Sequence, residues 1–158
     1  MELFYNFNQE GFYFPALAAA GRANFAVGDE EDGTDTAVKL ILSKTIGRTA
    51  KWQRVHLNIA WKYNDDAAED ERTDHYQVIA GYDRLMNADT VLVLNYVREQ
   101  EKEEGVDINL VEAGLRYQLT PLTVIAGGLG AGIGNDSPDF RITVAFQHSL
   151  NAWYFGGR

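Results

Sequence analysis

The sequence predicts an all-β protein, an antiparallel up-and-down transmembrane β-barrel (a meander) with about 8–10 strands in this chain. Three observations predict this fold. Apolar and polar residues alternate over long stretches, short turns and acidic loops follow each other in turn, and aromatic residues collect near the ends of the predicted strands.

The alternation of apolar and polar residues is the first observation. In Asn109–Leu119, Val111 and Leu115 fall on one face of an extended chain, whereas Glu112 and Arg116 fall on the other. The segment Arg54–Tyr63 alternates most regularly. Alternation over about ten residues is long for a soluble strand, which usually has about 5–6, but fits a tilted membrane strand of about 9–11.

The predicted strands form a single barrel domain over residues 1–150, followed by a C-terminal extension over residues 151–158. Their bounds are Leu3–Asn8, Phe12–Val27, Thr36–Ile46, Arg54–Tyr63, His75–Met86, Thr90–Arg98, Asn109–Leu119, a Gly-rich strand around Gly127–Gly134, and Phe140–Leu150. Pro15 has no amide proton, so we expect it near a strand start or at a bulge. Thr90–Arg98 is almost wholly apolar, and only Asn95 indicates which way it faces.

The connections between these strands alternate in kind. The short set is Asn8–Gly11, Gly47–Gln53, Asn87–Asp89 and Thr120–Pro121, and the acidic set is Asp29–Asp35, Asn64–Asp74, Glu99–Asp107 and Asn135–Asp139. The acidic set holds 18 of the 23 acidic residues, beside only two basic ones, Arg72 and Lys102. Antiparallel neighbours joined in this way place each class of connection at one end of the sheet, and closing the sheet removes its exposed edges.

Alternation alone leaves open which face points inward, because a soluble barrel of lipocalin type places its apolar face inside and a membrane barrel places it outside. Strand length, aromatic residues near strand ends, and a polar face of small and charged residues favour the membrane barrel. The residues that we expect to face its lumen are Arg22, Asn24, Lys39, His56, Asn58, Lys62, Gln77, Asp83, Glu112, Arg116, Gln118, Arg141 and Gln147.

Composition limits the other classes of protein. The net charge of −9 argues against a nucleic-acid partner, and the absence of cysteine excludes disulfides and thiolate metal sites. No apolar run reaches the roughly 18–20 residues of a transmembrane helix, and the N-terminus does not resemble a signal peptide. For an exported barrel this predicts a mature or truncated chain. The sequence predicts nine strands, whereas single-chain bacterial barrels have an even number. We therefore expect that an N-terminal strand is missing, with a hidden strand or a miscounted hairpin as the alternative.

Residues that could carry chemistry do not form a known catalytic pattern. The histidines His56, His75 and His148 are not near a serine nucleophile motif, so we predict that the chain is not an enzyme. The acidic loops do not have the ligand spacing of a calcium loop, and a solvated acidic rim explains them better than weak divalent binding. Gly127–Gly134 does not carry the lysine of a phosphate loop. We expect no catalytic residues, no metal and no cofactor.

Basic residues outnumber acidic residues on the predicted lumen face, where Asp83 and Glu112 are the acidic ones. The basic residues are Arg22, Lys39, Arg54, Lys62, Arg116 and Arg141. A basic ring would favour anionic solutes. Alternatively, these side chains pair with carboxylates and fill a narrow barrel, and the sequence leaves both interpretations open.

Four segments of the chain carry a family resemblance. They are GFYFPALAAAGRANFAVG at Gly11–Gly28, VHLNIAWKYN at Val55–Asn64, YQVIAGYD at Tyr76–Asp83 and EAGLRYQLTPLTVIAGGLGAGIGNDSPDFRITVAF at Glu112–Phe146. With these segments, most of the chain resembles the outer-membrane barrel family named after the meta-pathway of phenol degradation. The resemblance implies a bacterial outer-membrane location, lipid as a partner, and passage of small aromatic or apolar solutes. Members of that family are usually longer and carry a signal peptide, which agrees with truncation.

Two other functions fit the same sequence. One is a structural or adhesion-type outer-membrane barrel with a filled lumen, and the other is a soluble lipocalin-like barrel that binds an apolar ligand. We expect conductance to separate a channel from the filled barrel, and the need for detergent to separate both from the soluble barrel.

Overall fold

The structure, a computed structural model, describes residues 1–25, 34–46, 52–65 and 67–149. Its strands are β1 (Glu2–Asn8), β2 (Ala16–Phe25), β3 (Thr34–Ile46), β4 (Gln53–Asn64), β5 (Asp74–Leu85), β6 (Thr90–Gln100), β7 (Asp107–Thr120), β8 (Thr123–Gly132) and β9 (Phe140–His148). Most of the acidic loop Asp29–Asp35 and of the turn Gly47–Gln53, and all of the extension over residues 151–158, lie outside the described residues.

The nine strands form one sheet in which every strand pairs with its neighbours in sequence. Each pairing is antiparallel, in the order β1-β2-β3-β4-β5-β6-β7-β8-β9. Eight of the nine strands have 9 to 14 residues, so they exceed the usual strand length of about 5–6. The predicted all-β meander is confirmed. The sheet is not closed, since no pairing joins β1 to β9 within the described residues.

Every strand differs from its predicted bounds by at least one residue, and the differences at β2 and β6 have a clear physical reason or consequence. β2 begins at Ala16 rather than Phe12, because residues 12–14 form a bend in which Gly11 N donates to Phe14 O at 3.0 Å. Pro15 directly precedes the strand, as expected for a residue without an amide proton. β6 continues past Arg98 to Gln100, so Glu99 belongs to a strand and not to the acidic loop to which the sequence assigned it.

Register fixes the orientation of β6, which the sequence left ambiguous. Asn95 is opposite Gly81 on β5 and Glu112 on β7, so it shares a face with Glu112. Because side chains alternate along a strand, Val93 and Val97 lie on that face as well.

The two faces of the sheet differ in exposure between β3 and β8, whereas β1 and β9 are exposed on both faces. The face that carries Leu40, Ile59 and Leu115 is apolar and exposed, and Leu129 on this face is 66% exposed. The opposite face, which we call the polar face, carries the charged and amide side chains and is more covered, with Ala60 and Asp83 buried. A water-soluble sheet normally buries its apolar face, so this sheet has the reverse arrangement.

The described residues contain strands, turns and bends but no helix. In this part of the chain there is accordingly no helix long and apolar enough to cross a membrane.

Candidate functional site: the polar face of the sheet

All thirteen residues predicted to face a lumen lie on the polar face. The pairs Lys39–Ala60 and Ala60–Gln77 place residues of β3, β4 and β5 in one cross-strand row, and Glu112 and Arg141 are both opposite Gly130. Arg22 and Asn24 reach the same face from β2, and so do Gln118 and Gln147, which are both opposite Val124. The structure therefore collects on a single surface residues that are up to about 125 positions apart in sequence.

This surface is concave between β1 and β5. One cavity of about 210 Å³ is lined there by residues from five consecutive strands, all on the polar face. Its lining includes Glu2, Arg22, Lys39, Lys62 and Gln77. A flat sheet offers no enclosed volume above five adjacent strands, so the sheet curls toward its polar face.

Ion pairs cross the polar face between strands that are not neighbours. Lys62 on β4 reaches over β5 to Oε1 of Glu99 on β6, and Gln77 donates to the other carboxylate oxygen at 2.7 Å. On the same face but near the β9 edge of the sheet, Arg141 Nε on β9 lies 3.6 Å from Glu112 Oε1 on β7. These pairs tie strands that share no backbone ladder.

Three carboxylates on this face were missed by the sequence reasoning, which counted only Asp83 and Glu112. They are Glu2, Asp35 and Glu99, and they bring the acidic residues on the polar face to five, against the six basic residues named above. Positive and negative charges on the polar face are therefore nearly balanced. The prediction of a large excess of basic residues on this face is wrong. Glu99 could have been found by continuing the alternation of β6 two residues beyond Val97.

The basic residues of the polar face are not equivalent. Lys62 and Arg141 are paired with Glu99 and Glu112, and Arg22 Nε donates to Asn24 Oδ1 at 3.0 Å. Arg116 and Lys39 have no ion pair among the described residues. Arg116 lines a second cavity of about 210 Å³ with Asn95 and Glu112. Arg116 is also exposed, in contrast to the half-buried Lys62.

A row of apolar residues crosses the middle of the polar face. Val97 on β6 is opposite Ile79 on β5 and Leu110 on β7, and Ile41 and Ile79 flank Asn58 in the same row. Val97 and Leu110 are each only 2% exposed. A face with charged residues along much of its surface thus contains a closely packed apolar patch.

At the end of the sheet that carries the acidic connections, Arg72 links the loop after β4 to the loop after β6. The guanidinium of Arg72 donates to the backbone oxygens of Glu101 and Val106, each at 3.0 Å, and lies 3.3 Å from the carboxylate of Asp107. Lys102 then reaches Asp35 on β3 at 3.0 Å. The loops after β4 and β6 are therefore bound to each other and to the sheet, even though both are strongly acidic.

At the opposite end, Glu10 joins the turn after β1 to β3. Its carboxylate accepts bonds from the backbone amide and hydroxyl of Thr45, both at 2.8 Å, and from Lys44 Nζ at 3.2 Å. These bonds to the charged form, the Thr45 amide first, hold the pKa of Glu10 below its ordinary value of 4.5.

The three histidines do not assemble a catalytic group. Ser43 is opposite His56 on the polar face, yet no hydrogen bond joins their side chains. The ring of His56 lies instead over Gly81, and Nδ1 of His148 is 2.9 Å from the hydroxyl of Thr123. Asp83 is buried, but no hydrogen bond connects its Oδ1 to a partner in the described residues.

Metal binding has no support in the described part of the chain, where no group of three or more histidine and carboxylate side chains is arranged to hold an ion.

Comparison with known proteins adds no assignment. No family model matches the chain, and a search of curated proteins finds no significant match. The resemblance to the meta-pathway family stays a prediction from the sequence.

Proposed function

We propose that the chain forms an outer-membrane β-barrel channel that admits small solutes and catalyses no reaction. The observation that carries this proposal is the reversed exposure of the sheet. Its apolar face is exposed, and its polar, charged face lies on the concave side of the sheet, as it would in a barrel surrounded by lipid. The lining of such a channel would be the polar face, and lipid would contact the apolar face.

Exposed aromatic residues support a membrane location. Phe12, Tyr13 and Phe14 form an exposed group in the turn before β2, at the end of the sheet with short connections. Trp61 and Tyr63 are exposed near the opposite end, on β4. Aromatic residues at both ends of the apolar band correspond to the interfacial girdles of membrane barrels.

Solute choice would depend on the charges of the polar face. Four of the six basic side chains contact carboxylates or amides, since Arg54 also lies 3.9 Å from Glu10. We therefore propose only a mild preference for anions, governed mainly by Lys39 and Arg116. The aromatic or apolar solutes that the family resemblance implies remain part of this proposal.

A structural barrel with a filled lumen is the second candidate. The paired charges Lys62–Glu99 and Arg141–Glu112 favour it, as does the burial of Val97 and Leu110 on the polar face. Planar-bilayer recordings separate the two candidates, because a filled barrel gives no unitary conductance whereas a channel does.

The adjacent residues Thr143 and Val144 provide a matched test of the membrane orientation. Both lie in the middle of β9 and both are exposed, but on opposite faces. In lipid vesicles, Val144→Arg should lower the free energy of unfolding by about 2–4 kcal/mol because it places a charge in hydrocarbon. Thr143→Arg should have a much smaller effect. Equal losses for both variants would contradict the proposed orientation.

A further inference from the structure

The loop between β8 and β9 is folded back onto the sheet. The backbone amide of Asn109 on β7 donates to Oγ of Ser137 at 2.9 Å, and that hydroxyl donates to Ile133 O at 3.0 Å. Ile133 N in turn donates to Asn109 O at 2.8 Å. Both backbone groups of Asn109 are thus used to hold the loop beside β7, and Ser137 is half-buried as a result.

Gly132 shows that the loop lies on the polar face. It is opposite Leu110, so a side chain at this position would project from the polar face. A Cβ atom there would lie 2.3 Å from Pro138 O and 2.7 Å from Ser137 Cβ. The loop backbone therefore occupies the space that any other residue at position 132 would fill.

The loop is placed next to the most covered part of the polar face. Gly132, Leu110 and Val97 are consecutive members of one cross-strand row, and the last two are each 2% exposed. The loop also brings Asp136 and Asp139 to the same end of the sheet as the other acidic connections.

We propose that the β8–β9 loop restricts passage along the polar face. Gly132 determines this restriction, because its lack of a side chain lets the loop pack against the polar face. This inference rests on the proposed channel function. An inward loop against the Val97–Leu110 patch narrows the path that a hydrated solute must take, and its two aspartates oppose the entry of anions. Opening the path requires the loop to leave Gly132.

Gly132→Ala tests the proposal, because the added methyl group must displace the backbone of Pro138. Gly127→Ala is the matched control on the same strand, since a Cβ at Gly127 meets no atom within 4 Å. Ser137→Ala is a second variant that removes the hydroxyl bonds without adding bulk. Release of the loop is followed by hydrogen exchange of the Ile133 amide, which donates to Asn109 O at 2.8 Å while the loop lies on the sheet.

Two readouts are taken from the folded protein, selected by heat-modifiable migration on a gel. Hydrogen exchange of the Ile133 amide should be faster with Gly132→Ala and Ser137→Ala, but unchanged with Gly127→Ala. In planar bilayers the unitary conductance with Gly132→Ala should rise by about twofold or more, and by less with Ser137→Ala.

The outcomes separate this inference from the function on which it rests. Faster exchange with unchanged conductance would overturn the restriction but leave the channel in place. Unchanged exchange in both loop variants would overturn the role of Gly132 in holding the loop inward. Folded wild-type protein without any conductance would overturn the channel itself, and the inference with it.

Discussion

Lys62 on β4 and Glu99 on β6 form an ion pair across β5, although their strands share no hydrogen-bonded ladder. In a flat sheet, strands two apart are separated by roughly 10 Å, so both side chains must lean over β5 to meet. Gln77 on β5 completes the group with a bond to Glu99 at 2.7 Å. Three strands are thereby joined at one point on the polar face.

The Lys62–Glu99 pair should contribute measurably to stability. Glu99→Gln removes the charge that Lys62 and Gln77 both contact, so we expect it to lower the free energy of unfolding by about 1–2 kcal/mol. Lys102→Gln is the control, because its pair with Asp35 is more exposed and should be worth about 0–1 kcal/mol. Urea titrations in detergent measure both values, and a smaller loss for Glu99→Gln than for Lys102→Gln would contradict the prediction.

The contact between His56 and Gly81 predicts that His56→Ala removes most of the destabilisation caused by Gly81→Ala. A Cβ at position 81 would lie within 2.5 Å of three atoms of the His56 ring, so Gly81→Ala must push the ring aside. We expect a loss of about 1–3 kcal/mol. The double variant His56→Ala with Gly81→Ala should lose little more than His56→Ala alone, since the clash has gone. Additive losses in this double-mutant cycle would show that the two residues are independent.

Glu10 predicts a loss of stability in acid. Its folded-state pKa is lowered, so its contribution is fully present above the unfolded pKa near 4.5 and disappears as the pH falls through the folded value. Wild-type protein should therefore lose stability below pH 4.5 more steeply than Glu10→Gln. Urea midpoints measured between neutral pH and acid test this difference. Parallel curves for the two proteins would mean that the bonds to Thr45 do not favour the charged form.

The unpaired arginine should influence ion preference more than the paired one. Arg116 has no ion pair in the described residues, whereas Arg141 is 3.6 Å from Glu112. Arg116→Glu should shift the reversal potential under a salt gradient toward cation preference, and Arg141→Glu should shift it less. Reversal potentials that are unchanged in both variants would rule out control of permeation by these charges.

Much of the fold could be predicted because its signal is local. Long alternating runs such as Arg54–Tyr63 specify strands, and the alternation of short and acidic connections specifies the meander. Pro15 marks the start of β2, as its missing amide proton requires. The bounds were less certain where aromatic residues continued beyond the ladder, as at Phe12, or where a strand ran into acidic sequence, as at Glu99.

The candidate site was harder to predict because its contacts join distant strands. The sequence placed Lys62 and Glu112 on one face, but the partner of Lys62 is 37 residues away and was assigned to a loop. The inward fold of the β8–β9 loop depends on the missing side chain of Gly132, which sequence alone does not distinguish from the other glycines of β8. Alternation identifies a face but not the pairs that form on it.

The central claim is that the exposed apolar face requires lipid. Refolding in detergent micelles and in plain buffer, followed by far-UV circular dichroism and heat-modifiable migration on a gel, tests it most directly. We predict a folded β-sheet protein only in detergent, because buffer leaves exposed side chains such as Leu129 and Val144 in contact with water. A monodisperse, folded β protein in plain buffer would contradict the membrane barrel and favour a soluble ligand-binding barrel.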